Sequence, residues 1–121
     1  MLKAVIYHNT KCSKSNAALH FLLERGIQTN IINYLETPPS SETLKTLLNQ
    51  LAIEAKALIR FGEPVAKELN LSIDDIRTEQ EWVALMVQHS SLIERPIVVI
   101  NNKAVIARPA ELLSDFIHTH I

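Results

Sequence analysis

At 121 residues with 47% hydrophobic content, the chain is sized for one domain that buries a core without disulfide or metal staples. Its 12 basic and 13 acidic side chains give a formal net charge of −1, so no general field favours nucleic acid or an anionic membrane. Any anion site must be a local cluster. The single cysteine cannot form an internal disulfide, and two glycines leave no G-x-G-x-x-G or Walker loop. With no charged-then-apolar leader and no long apolar span, the expectation is a cytoplasmic protein with no membrane or nucleic-acid partner.

Ala4-Val5-Ile6-Tyr7 predicts a short strand, and Ala18-Leu19 with Leu22-Leu23 supplies a helical stripe. Between them, Asn9 to Asn16 is a polar run broken only by Cys12. Free cysteine usually packs as a small hydrophobe. These neighbours are unlike a packing environment and place Cys12 in a turn feeding a helix N-terminus. There the first N–H groups lack intrahelical acceptors and the macrodipole is positive, which favours a thiolate and lowers its pKa. Lys11 and Lys14 add charge nearby, and the Ser13 and Ser15 hydroxyls are candidate donors to the sulfur. Cys12 is therefore expected to be a nucleophile, and a redox cycle through it needs a thiol from another molecule.

Arg25-Gly26 marks a helix stop. Asn30 to Leu35 predicts a second strand, parallel to the first through a right-handed crossover. Cys12 then stands at the carboxyl end of the first strand, where open α/β sheets bind ligands. Thr37-Pro38-Pro39-Ser40-Ser41 ends that strand and opens a helix carrying Leu44, Leu47, Leu48 and Leu51. Short helices are expected over Ala55 to Arg60 and Pro64 to Leu69. Thr78 to Glu81 fits a capping box before a stripe of Trp82, Leu85, Met86 and His89. Pro96 to Ile100, Asn101-Asn102 and Lys103 to Ala107 predict a hairpin, since asparagine tolerates the positive φ of a tight turn. Pro109 is expected in the first turn of a last helix burying Leu112, Leu113, Phe116 and Ile117. The order specifies an α/β fold: a mixed four-stranded sheet flanked by helices, with a helical insertion between strands 2 and 3. This is the thioredoxin-like arrangement.

Arg60 follows apolar Ala57-Leu58-Ile59, while Arg95 and Arg108 each precede a proline and so have restricted backbones. Guanidinium groups bind tetrahedral oxyanions through paired, charge-assisted hydrogen bonds. Taken singly, each arginine reads first as a solvated or salt-bridged side chain, and spacing does not show that they converge. Pro96 is a candidate cis-proline. His8 either lends charge or a hydrogen bond to the cysteine turn or simply finishes the strand. The acids at Asp74-Asp75 and Glu79 to Glu81 suit helix starts. His118 and His120 do not share a helix face, and no metal-ligand set completes around His8 and Cys12.

Taken together, Tyr7-His8-Asn9 before Cys12-x-x-Ser15, Tyr34-Leu35-Glu36 with Pro38-Pro39, Leu58-Ile59-Arg60, Leu92-Ile93 leading to Arg95-Pro96-Ile97-Val98-Val99, and Arg108-Pro109 resemble the glutathione/glutaredoxin-coupled arsenate reductase (ArsC) family of thioredoxin-like proteins. The resemblance spans nearly the whole chain. It implies a nucleophilic Cys12 tuned by His8 and Ser15, with Arg60, Arg95 and Arg108 holding arsenate. It also implies a covalent Cys12–arsenic intermediate, no bound cofactor, glutathione as external co-substrate and glutaredoxin as partner. Two alternatives share the fold: a glutathione-dependent thiol reductase acting on another substrate, and an Spx-like regulator that binds RNA polymerase without turnover. Those regulators often carry Cys-x-x-Cys where this chain has Cys-x-x-Ser.

Overall fold

Burial alternates along β1 (Lys3–His8), where Ala4, Ile6 and His8 turn inward. This strand is central in a four-stranded sheet of order β2-β1-β3-β4. The helix α1 (Ser13–Glu24) leads from it to β2 (Gln28–Asn33), which pairs parallel to β1 from Lys3↔Gln28 to His8↔Asn33. On the other side β3 (Ile97–Ile100) pairs antiparallel to β1, and β4 (Lys103–Ile106) antiparallel to β3. The hairpin turn is Asn101-Asn102, with φ of 52° and 63°, as the sequence predicts. The helix α5 (Leu112–His120) ends the chain.

The computed structural model describes residues 2–121 and divides into two compact units. One comprises the chain through Thr37 together with Arg95 onward, and the other is Pro38–Glu94. The first unit packs α1 and α5 against one sheet face, where Ala18, Leu22, Leu113 and Phe116 meet Ala4, Ile6, Val98 and Ile100. The second holds the helical insertion. In it α2 (Ser41–Leu51) is capped by Ser40, whose side chain accepts the Thr43 N–H, and it packs on α4 (Glu79–Gln88). The helix α4 opens on the predicted capping box, formed by Thr78 and Glu81. A 3-10 turn spans Ala55–Leu58, and α3 spans Pro64–Glu68. Among the described residues no helix is long and apolar enough to cross a membrane.

Several expectations shift. The second strand ends at Asn33 rather than Leu35, because the Asn33 carbonyl accepts the Glu36 and Thr37 N–H groups and closes a turn. Leu23 and Leu112 are exposed, at the edges of stripes whose centres are Leu22 and Leu113. In α4 the third buried residue is Val83 rather than Leu85. The segment after Leu58 is extended rather than helical, since Ile59 bridges Ile93. Pro109 lies ahead of the last helix, not within its first turn: its carbonyl accepts the Leu112 N–H at 3.1 Å. Both Arg95–Pro96 and Arg108–Pro109 are cis.

Candidate active site

β1 delivers the chain to a turn that its own polar side chains brace. The Cys12 N–H donates to the Asn9 carbonyl at 3.0 Å, the Asn9 side-chain oxygen accepts the Lys11 N–H at 3.0 Å, and the Asn16 amide donates to the Thr10 carbonyl at 2.9 Å. Cys12 is the N-cap of α1, with φ −101° and ψ 120°. A polar side chain at this position ordinarily accepts N–H bonds from the helix's first turn. The sulfur makes no side-chain cap bond of ordinary geometry, yet first-turn N–H groups still favour its anion. Partial burial pushes the thiol pKa up. The Ser15 N–H, the Arg95 guanidinium, the Lys14 N–H and the Arg108 guanidinium outweigh it, so the net direction is below the ordinary thiol value.

The arginines arrive through strand register. The β3–β4 ladder pairs Ile97 with Ile106, and the same register continued two residues further sets Arg95 opposite Arg108. Arg108 Nη1 stands 3.8 Å from Cys12 Sγ and donates to the Arg95 carbonyl at 3.4 Å. The β1–β3 register, Tyr7↔Ile97, continued by one residue brings His8 beside Pro96. One end of the sheet therefore gathers a sulfur and two guanidinium groups from three separate chain segments.

His8 joins the turn through Ser15. Its Nδ1 lies 2.5 Å from Ser15 Oγ, which also accepts the Asn9 N–H at 3.1 Å. Burial lowers the His8 pKa, so the ring is neutral near pH 7. A hydrogen bond thus joins the neutral ring at Nδ1 to the Ser15 hydroxyl. Of the two roles open for His8, the structure selects the hydrogen bond and not the charge. The Ser15 hydroxyl, a candidate donor to sulfur, is instead engaged with His8 Nδ1 and the Asn9 N–H. Ser15 instead favours the thiolate through its main chain, and so does Lys14.

Arg60 belongs to the second unit. There its N–H donates to the Leu92 carbonyl at 2.8 Å, and its side chain pairs with Glu94 at 3.5 Å and Glu63 at 3.8 Å.

Residues 7–116 match the model of the ArsC family, which settles the family. The chain belongs to the ArsC family. It is 41% identical over 107 residues to the arsenate reductase of Neisseria meningitidis serogroup A, covering 88% of this chain and 91% of that protein. It is 43% identical over 113 residues to the uncharacterized protein YfgD of Escherichia coli strain K12, covering 93% and 94%. The solved structure of an arsenate reductase from Vibrio cholerae superposes with a TM-score of 0.89 at 46% identity, covering 94% of this chain and 97% of that one. The thioredoxin-like fold expected from the element order is thereby established.

Asn9 and Asn16, which bound the polar run around Cys12, brace the ArsC cysteine turn through side-chain bonds that the sequence reading left unassigned. Asn9 carries the signal of an Asx turn, a side-chain oxygen accepting the backbone N–H two residues on, whereas the Asn16 bond to Thr10 has no such local mark. Ser15→Ala removes a buried partner from both His8 Nδ1 and the Asn9 N–H. It is expected to cost about 1–3 kcal/mol, measured as a lower urea midpoint at unchanged slope.

Proposed function

We propose that this protein reduces arsenate to arsenite, with the Cys12 thiolate as nucleophile and glutathione and glutaredoxin as external reductants. The observation that carries this reading is the Arg108 guanidinium against the Cys12 sulfur, with Arg95 also favouring the thiolate. Such a pair stabilises the anionic sulfur at rest and offers forked donors to a tetrahedral oxyanion. The relatives named arsenate reductase supply the substrate. Arg60, paired at rest with Glu63 and Glu94, is the third guanidinium assigned to arsenate. His8 and Ser15 hold the turn. Residues 1–121 act as one catalytic domain with no bound cofactor, in the cytoplasm, where a reduced glutathione pool is available.

In this reading the thiolate attacks As(V), forming an As–S bond as one arsenate oxygen is protonated and leaves as water. Glutathione displaces a second oxygen in the same way. A glutaredoxin thiolate then attacks the glutathione sulfur: an S–S bond forms, the S–As bond breaks, and its electron pair remains on arsenic as As(III). Water cleaves the Cys12–As bond, releasing arsenite and returning the thiolate. The single cysteine suits a route in which both reducing thiols come from outside.

The test is NADPH oxidation coupled through glutathione reductase, requiring arsenate, glutathione and glutaredoxin together. Turnover only with all three supports the proposal. Reduction of glutathione mixed disulfides without arsenate turnover replaces it with a thiol reductase on another substrate. Inactivity in both, with purified RNA polymerase bound, replaces it with the regulator.

A further inference from the structure

The carboxyl ends of β1 and β2 carry a second feature that the arsenate chemistry leaves unused. His8 stands opposite Asn33 in the parallel ladder, and each strand then ends in the same device. The Asn9 side chain accepts the Lys11 N–H at 3.0 Å, and the Asn33 side chain accepts the Leu35 N–H at 3.3 Å. The Asn16 amide holds the Thr10 carbonyl at 2.9 Å, and the Asn33 carbonyl takes the Glu36 and Thr37 N–H groups at 3.1 and 2.9 Å. These bonds fix the walls of an open cavity of about 220 Å³ lined by Asn9, Thr10, Lys11, Asn33, Leu35 and Glu36.

The lining contains one ammonium and one carboxylate among amides and a hydroxyl. Both Lys11 and Glu36 are exposed, and neither forms an ion pair with another described residue. A bare oxyanion meets repulsion from Glu36, and a bare cation meets repulsion from Lys11. A zwitterion with ammonium and carboxylate on one carbon answers both charges. The cavity wall also leads directly into the nucleophile, since Lys11 adjoins Cys12 and consecutive Cα atoms lie about 3.8 Å apart.

We propose that this cavity binds the γ-glutamyl end of glutathione, with Lys11 taking its α-carboxylate and Glu36 its α-ammonium. The co-substrate's sulfur then lies toward Cys12. The inference rests on the reading above that glutathione is the thiol that joins the Cys12-bound arsenic.

Binding is tested without turnover, by titrating S-methylglutathione, which has no free thiol, into ¹⁵N-labelled protein. Amide shifts concentrated at residues 9–11 and 33–36 are expected, with affinity falling at least about fivefold in Glu36→Gln and in Lys11→Gln. N-acetyl-S-methylglutathione, which lacks the ammonium, should lose affinity for the wild type but little for Glu36→Gln. No binding, shifts clustered elsewhere, or unchanged affinity in both variants overturns the site. In the coupled assay, Glu36→Gln should raise the KM for glutathione severalfold without raising the KM for arsenate. Binding at this site without any arsenate turnover would overturn the reductase reading and leave the cavity assignment standing. Arsenate turnover without binding would do the reverse.

Discussion

Cys12→Ser is expected to lower arsenate-dependent NADPH oxidation by about three orders of magnitude or more, with the far-ultraviolet circular dichroism unchanged. A serine hydroxyl stays protonated near neutral pH, and among the described residues no imidazole is hydrogen-bonded to position 12 to activate it; His8 is engaged with Ser15. The fold should survive because serine is a favoured N-cap residue and Cys12 holds that place in α1. The pH dependence separates the variants further. A thiol pKa lowered in the folded state adds stability that is complete above the unfolded thiol pKa of about 8.5 and is lost as pH falls through the folded value. Wild-type stability should therefore carry a slope in that window that Cys12→Ser lacks. The slope is read from urea midpoints, and alkylation by iodoacetamide locates the folded thiol pKa directly. Equal slopes, or full arsenate turnover in the serine variant, would remove Cys12 from the mechanism.

Arg108→Ala is expected to raise the Cys12 pKa and to lower kcat/KM for arsenate by roughly a hundredfold to a thousandfold. The guanidinium touches the sulfur at 3.8 Å and the Arg95 carbonyl at 3.4 Å, so its loss removes a cation from the thiolate and a donor that steadies the neighbouring strand end. Arg108→Lys retains the charge without the planar fork, and should recover more of the pKa shift than of the arsenate affinity. Arg95→Ala should likewise weaken arsenate use far more than folding, because the Arg95 guanidinium also favours the thiolate. Alkylation profiles and arsenate kinetics measured on the same preparations check both variants. If Arg95→Ala left arsenate kinetics intact, Arg95 would have no place in the substrate clamp.

Much of this architecture is legible in the residues because local chemistry and fold agree. The Asn101-Asn102 turn fixes a two-residue hairpin, and the hairpin fixes the register that sets Arg95 opposite Arg108. A reader of the sequence thus holds the means to pair these arginines, although only the β1–β3 ladder brings the pair to the cysteine turn. The Ser15 side chain was misread for a related reason. Proximity in sequence pointed its hydroxyl at sulfur, whereas the parallel demands of a buried imidazole and the Asn9 N–H draw it away. Pro109 was assigned to the helix by its type alone, and its cis peptide bond has no marker in the sequence that distinguishes it from a trans one. Of the two carboxylates on Arg60, Glu63 stands three residues on, whereas Glu94 has no local signal and is brought there where Ile59 bridges Ile93.

The sheet pairs β1 with a strand that begins at Ile97, far downstream of Cys12 in the chain. On the ribosome, where synthesis runs from the amino end, the cysteine turn emerges long before either hairpin arginine has been made. Until that hairpin docks, the sulfur lacks two of the groups that ionise it and behaves more like an ordinary thiol. Activation is thereby coupled to synthesis of the hairpin: the full set of groups that stabilise the thiolate exists only after Arg108 has been made.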